Sequence, residues 1–197
     1  NQRYLFTPNT GYHVDSVYID DVYNPDSTTG YTFYNVRQDH KIIVRFTSNL
    51  ITVYTEVASQ WNLISVPIQV RDYSKDSLFS RAISSAYKYS SGYIAQDTLV
   101  NGQGYWLKFP KTDTLAFTGI PIYCDTIDVI SGWNLIGSIS EPIFVSSIIS
   151  IPTEIVSSGF YEYSSGYSVT SAIEPGKGYW VKVNEAGKLI LGLSGKQ

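Results

Sequence analysis

Apolar and polar residues alternate with a period of two through much of the chain, in short runs bounded by Gly, Pro, Ser, Asn and Asp. This is the signature of short β-strands joined by tight turns. In His40-Lys-Ile-Ile-Val-Arg-Phe-Thr-Ser48 the alternation puts Ile42, Val44 and Phe46 on one face. In Tyr87-Lys88-Tyr89 the two rings share a face and the lysine takes the other. In Gly104-Tyr-Trp-Leu-Lys-Phe109, Tyr105, Leu107 and Phe109 lie opposite Trp106 and Lys108. The pattern predicts an all-β fold. Only SKDSLFSRAI and FVSSIIS break the alternation, and each predicts one or two helical turns.

The same order of elements occurs twice. Trp61-Asn-Leu-Ile-Ser65 returns as Trp133-Asn-Leu-Ile-Gly137, and Tyr87-Lys-Tyr-Ser-Ser-Gly-Tyr93 returns as Tyr161-Glu-Tyr-Ser-Ser-Gly-Tyr167. Gly104-Tyr-Trp-Leu-Lys108 returns as Gly178-Tyr-Trp-Val-Lys182. The offset is 72 residues at the first phrase and 74 at the others, so a two-residue insertion lies between them, where a loop absorbs it at little cost. Each unit reads as an entry strand (ITVYTEV, then IYCDTIDV), a WNLI strand, a helical turn, a tyrosine hairpin, a GYW strand and a closing strand. Gly92 and Gly166 are expected to supply the positive φ of the hairpin turns. Lys88 becomes Glu162 in the second copy, which predicts a solvated face there and a packed tyrosine face. Thr118-Gly-Ile-Pro-Ile122 is too short and apolar for a flexible linker and predicts a stiff pair. The chain divides into residues 1–48, a module at 49–120 and a homologous module at 121–197, the last two as small sandwich- or barrel-like units.

Residues 1–48 stand outside the repeat. TPNTGYHVDSVYIDDV, TGYTFYNV and HKIIVRFTS follow, from Phe6 to Phe46, a pattern that resembles the divergent internalin-B-type bacterial repeat, a small β-rich spacer of secreted and surface proteins. Such a unit carries a strand or two before this point. The stretch before it is short here, so the resemblance implies a truncated unit with an open sheet edge, a template for another copy of the chain. The paired W-N-L-I-S, Y-x-Y-x-x-G-Y and G-x-G-Y-W-x-K phrases resemble a C-terminal repeat of large secreted proteins of Bacteroidetes-like bacteria. That resemblance implies an extracellular or cell-surface address and no activity.

Composition narrows the function classes. Charged residues are 16% of the chain against roughly 25% in typical domains, and their place is taken by polar and aromatic residues that include 17 Tyr and 4 Trp. The net charge is −3 with no basic stripe, which speaks against nucleic acid. No apolar run approaches the ~20 residues of a membrane span, so membrane insertion is not expected. No methionine occurs, even at position 1, and the chain reads as a piece of a longer precursor. Cys124 alone cannot form an internal disulfide and is expected as a small buried hydrophobe.

Candidate chemistry is sparse. His13 and His40 fall at strand positions of the first unit and are expected to be structural. There is no nucleophile motif, zinc motif or phosphate loop, and Gly102-Gln-Gly104 precedes a strand instead of a helix. No cofactor and no enzyme activity are expected. Asp20, Asp21 and Asp26 cluster as a weak calcium candidate, although Asp and Asn dominate turns for backbone reasons. Glu56 and Asp128 are equivalent, single and suited to an exposed role. The aromatics remain. Trp106 and Trp180, or Tyr93 and Tyr167, form exposed platforms for sugar rings in one reading; in the other the tryptophans cover a second small core or pack between the units, with Lys108 and Lys182 snorkelling past. Trp61 and Trp133, at strand starts, are expected in the core. These features point to a non-enzymatic extracellular structural or adhesive module, such as a stalk, adhesin segment or filament subunit. The alternative is a carbohydrate-binding accessory region of a secreted polysaccharide-degrading enzyme.

Overall fold

A computed structural model of the chain describes residues 1–192. Two units are resolved, Asn1–Leu50 and Ile51 onward. The first contains β1 (Gln2–Leu5), β2 (Tyr12–Ile19), β3 (Val22–Tyr23), β4 (Gly30–Phe33) and β5 (Ile42–Ser48). β1 pairs with β4, and β2 lies between β3 and β5, all antiparallel. The residues before the internalin-like pattern thus form a strand. Val17, Ile19 and Phe33 make a small core, joined by Phe6, Val14, Tyr31, Ile42 and Val44. Phe46 shares the face of Ile42 and Val44 yet stays exposed at the far end of β5.

The second unit contains both copies of the repeat. The first copy comprises β6 (Ile51–Val57), β7 (Gln60–Ile64), β8 (Ile68–Gln69), a helical turn α1 (Lys75–Leu78), β9 (Ala86–Tyr89), β10 (Tyr93–Gln96), β11 (Tyr105–Phe109) and β12 (Asp113–Pro121). The second comprises β13 (Cys124–Val129), β14 (Gly132–Ile136), β15 (Ile143–Phe144), a 3-10 turn at Val145–Ser147, β16 (Ile149–Ile151), β17 (Phe160–Tyr163), β18 (Tyr167–Thr170), β19 (Ala172–Ile173), β20 (Tyr179–Val183) and β21 (Gly187–Gly192). Each copy has a four-stranded sheet, ordered β10-β9-β11-β7 and β18-β17-β20-β14, and a three-stranded sheet, β6-β12-β8 and β13-β21-β16. The registers agree: Trp61 opposes Lys108 as Trp133 opposes Lys182, and Trp106 opposes Tyr87 as Trp180 opposes Tyr161. The copies differ where the offset changes. The segment after WNLI forms α1 in one; in the other it forms the 3-10 turn and β16, which pairs with β21.

The two sheets of each copy enclose one core. In the first, Val53, Val57, Leu115 and Phe117 meet Ile64, Tyr105, Leu107 and Phe109, with Phe79 plugging the side beyond α1. In the second, Ile127, Val129, Leu189 and Leu191 meet Ile136, Tyr179, Val181 and Val183. Each fully buried side chain of this size contributes about 1.5–3 kcal/mol. The tyrosine of each GYW phrase is buried to the ring tip, and its hydroxyl accepts a backbone N–H: Val100 at 3.0 Å for Tyr105, Glu174 at 2.8 Å for Tyr179. The Asn of each WNLI phrase clasps the preceding turn. Asn62 bonds both backbone groups of Ala58, and Asn134 both of Ile130. In the hairpins the left-handed residue is the serine before the glycine, Ser91 (φ 55°) and Ser165 (φ 71°). Gly92 has the expected positive φ, 157°, and Gly166 does not; in both hairpins the left-handed position falls one residue earlier than expected.

The copies join through reciprocal backbone contacts. The Gly104 N–H donates to the Leu135 carbonyl at 3.1 Å, and the Gly178 N–H to the Leu63 carbonyl at 3.1 Å. The Gly137 N–H reaches Gly102 O and the Ser65 N–H reaches Gly176 O, each at 2.8 Å. Ser65 and Ser138, both buried, bond one another through their hydroxyls at 2.8 Å, and the Ser140 hydroxyl donates to Pro67 O at 2.7 Å. Glycine is required because the copies nearly touch, at backbone in one case and at a side chain in the other. A Cβ on Gly104 would lie 2.6 Å from Ile136 O, and one on Gly176 would lie 1.9 Å from Thr55 Oγ1, at a φ of +80°. The short Gly-Gln-Gly run, which leads into a strand, therefore serves this joint.

Gly176→Ala is expected to lower stability in chemical denaturation by about 3 kcal/mol, from left-handed strain and overlap together. Gly166→Ala, where a Cβ meets nothing within 4 Å, should change it by no more than about 0.5 kcal/mol.

Candidate functional site

The four-stranded sheet of each copy has a second face, opposite its core, and that face is aromatic. On the first copy it carries Trp61 and Leu63 of β7, Trp106 of β11, Tyr87 and Tyr89 of β9, and Tyr93 of β10, as cross-strand register and parity require. The reciprocal joint turns the two such faces toward each other. Leu63, Trp106, Leu135 and Trp180 form a separate buried cluster between the copies, flanked by Tyr87, Tyr89, Tyr161 and Tyr163. Trp106 meets Tyr163 edge-on at 4.7 Å, and Trp180 meets Tyr89 at 4.8 Å.

The packing reading therefore describes Trp106 and Trp180, which are 9% and 8% exposed. Tyr93 and Tyr167 are open, each 57% exposed. Trp61 and Trp133 correct the expectation of a core position: they are 39% and 41% exposed. β7 and β14 are edge strands, so each ring has one flank covered, by Trp106 and Tyr87 or by Trp180 and Tyr161, and no strand beyond it.

Two clefts result. One, of about 500 Å³, is lined by Trp61, Tyr87, Tyr93, Trp106, Tyr163 and Tyr167. Its counterpart, of about 470 Å³, is lined by Trp133, Tyr161, Tyr167, Trp180, Tyr89 and Tyr93. Every lining residue has its repeat equivalent in the other cleft, and Tyr93 and Tyr167 belong to both. Burial pushes the Tyr167 hydroxyl above the usual tyrosine range, and the Tyr93 hydroxyl adds to the rise. The Trp180 indole N–H is buried with no well-formed hydrogen-bond partner among the described residues, while the Tyr167 hydroxyl lies near enough for that indole to offset part of its rise.

The lining offers π faces, phenol hydroxyls and indole edges, and no carboxylate, imidazole, thiol or amine. Such walls hold an uncharged ligand with apolar faces; they contain no nucleophile beside a base. The carboxylates singled out from the sequence lie elsewhere. Glu56 and Asp128 are exposed on β6 and β13, and Asp128 pairs with Lys188. Asp20 and Asp21, with φ of 49° and 67°, form the two-residue turn between β2 and β3. Asp20 accepts from the Lys41 N–H and from His40 Nδ1, which hold its carboxyl below the usual range, and Asp21 pairs with Lys41 Nζ. Asp26 is exposed. No group of three His, Cys, Asp or Glu side chains among the described residues is arranged to hold a metal. His40 stacks on Phe33 at 4.4 Å, and His13 bonds Asn49. Cys124 is exposed, against expectation, because it begins β13 on the outward parity of Thr126 and Asp128.

The exposed and buried tryptophans should separate in denaturation experiments. Trp106→Ala and Trp180→Ala are expected to cost about 3–5 kcal/mol each, as buried aromatic truncations do. Trp61→Ala and Trp133→Ala should cost about 1–2 kcal/mol, in line with their half-covered rings.

Comparison of the chain with known protein families, with curated proteins and with solved structures gave no match.

Proposed function

We propose that the chain is a non-enzymatic extracellular structural and adhesive module whose duplicated unit binds neutral carbohydrate in its aromatic clefts. The observation that carries this reading is a comparison of the two copies. Many other positions have diverged: Lys88 stands opposite Glu162, Gln60 opposite Gly132 and Thr55 opposite Ile127, while core, turn and joint residues such as Asn62 and Asn134, Gly104 and Gly178, and Tyr105 and Tyr179 are kept for packing. The cleft positions are identical, with Trp at 61 and 133, at 106 and 180, and Tyr at 87 and 161, 89 and 163, and 93 and 167. Packing accounts for the buried members. It does not account for Trp61, Trp133, Tyr93 and Tyr167, whose rings stand substantially in water.

Sugar rings suit such walls. Their C–H faces are apolar and weakly positive, and an aromatic face carries negative potential. Tyrosine hydroxyls reach the sugar hydroxyls at the rim, and the absence of charge from the lining matches an uncharged ligand. Each cleft has the size of an ordinary small-ligand site. The expected result is retention of the chain on at least one neutral polysaccharide in pull-down or affinity electrophoresis, with loss of retention in the Trp61→Ala/Trp133→Ala double variant. A chain retained on none of a broad panel overturns the reading.

A filament or stalk role rests on a different observation. Among the described residues β1 pairs only with β4, and β5 only with β2, so each leaves one edge without a strand. An extended segment of another copy can add there through main-chain hydrogen bonds. Concentration-dependent association in light scattering is expected, abolished by proline at alternate positions of β1; a chain that stays monomeric at high concentration removes this arm.

A further inference from the structure

The two clefts are one construction carried out twice. Trp61, Tyr87 and Trp106 face Tyr163 in the first, and Trp133, Tyr161 and Trp180 face Tyr89 in the second. The contacts are reciprocal, in ring packing and in the backbone bonds of the joint. Reciprocal contacts of this kind define an internal two-fold relation, as in an isologous dimer. Sites so related present the same chemistry to a ligand.

The walls also constrain which sugar fits. Each cleft takes rings from both copies, so a bound pyranose meets aromatic surface contributed from two directions. A ring with every substituent equatorial offers C–H surface on both faces. An axial hydroxyl interrupts that C–H surface on one face and weakens its contact with an aromatic wall.

Resting on the carbohydrate reading, we infer that one chain binds two glycan segments at once, one per cleft. The clefts share Tyr93 and Tyr167 as a common wall, and their aromatic lining suits a glycan of equatorially substituted pyranose rings, for which a β-linked glucan is the probe. Binding is then bivalent, and a long glucan chain or a pair of chains is gripped more tightly than one cleft alone allows.

Calorimetric titration of the intact chain with cellohexaose tests this, with mannohexaose as the axial-hydroxyl comparison. Two equivalents of cellohexaose per chain are expected, with mannohexaose weaker by about tenfold or more. Trp61→Ala and Trp133→Ala should each leave one equivalent, and Tyr93→Ala should weaken both sites by about tenfold. Tyr93 removes only an exposed ring, so that variant keeps the shared wall testable even where a tryptophan variant fails its thermal-unfolding check. A single equivalent in the wild type, or loss of one site only in Tyr93→Ala, overturns the two-site arrangement. Retention on another polysaccharide without a cellohexaose signal overturns the ligand class alone and leaves the carbohydrate reading standing. Silence toward every glycan refutes that reading and this inference with it.

Discussion

The duplicated unit depends on one close approach of backbones. The glycine turn before each GYW strand lies against the other copy, near enough that a methyl group has no room at Gly104, beside the WNLI strand, or at Gly176, beside the Thr55 side chain of β6. Four backbone hydrogen bonds and a buried serine pair close that contact. Buried polar groups are costly unless paired, so the joint holds only in one register. Once that register is set, the outer faces of the two four-stranded sheets have nowhere to point except toward each other. The aromatic cluster and both clefts follow from it.

This arrangement gives the WNLI and GYW phrases a division of labour. In the first copy Trp61 walls a cleft, Asn62 clasps its turn, Leu63 fills the joint and Ile64 enters the sandwich core. Tyr105 points to the core with its hydroxyl bonded to the backbone, and Trp106 points to the joint. The middle strands of the sheet are thus covered on both faces. A period-2 strand normally separates a dry side from a wet one. Here it separates an aliphatic core from an aromatic contact, which is why the phrases contain so little charge.

Much of the fold was legible in the sequence because strand parity and turn chemistry are local. The element order, the helical turn at SKDSL and the placement of the length change all come from short stretches read in place. Parity says which residues share a face, however, and not what covers that face. Trp61 shares its face with Leu63 on the edge strand β7, and the leucine is buried because it lies in the joint against the other copy while the indole stands outside it. Cys124 shares its parity with Thr126 and Asp128, opposite Ile127 and Val129, so the alternation itself placed it outward and the general preference of cysteine for burial misled. The role of Gly102 and Gly104 was out of reach because their partners lie in the other copy, more than thirty residues away at Leu135 to Gly137. Tyr93 and Tyr167 could be singled out as aromatics on a hairpin, but their common service to two clefts is a property of the pair of copies.

A cleft built between two copies differs in kind from one built within either. A lone unit would present its aromatic face as an open sheet, with Trp106 lacking the Tyr163 ring that packs against it. Neither cleft exists until the joint forms, since each draws walls from both sides. A ligand seated in a cleft therefore touches only the joined state and stabilises it by mass action, in proportion to the logarithm of its concentration over its dissociation constant. On the carbohydrate reading, ligand binding would be coupled to the joint between the copies, because duplication supplies the walls that neither unit holds alone.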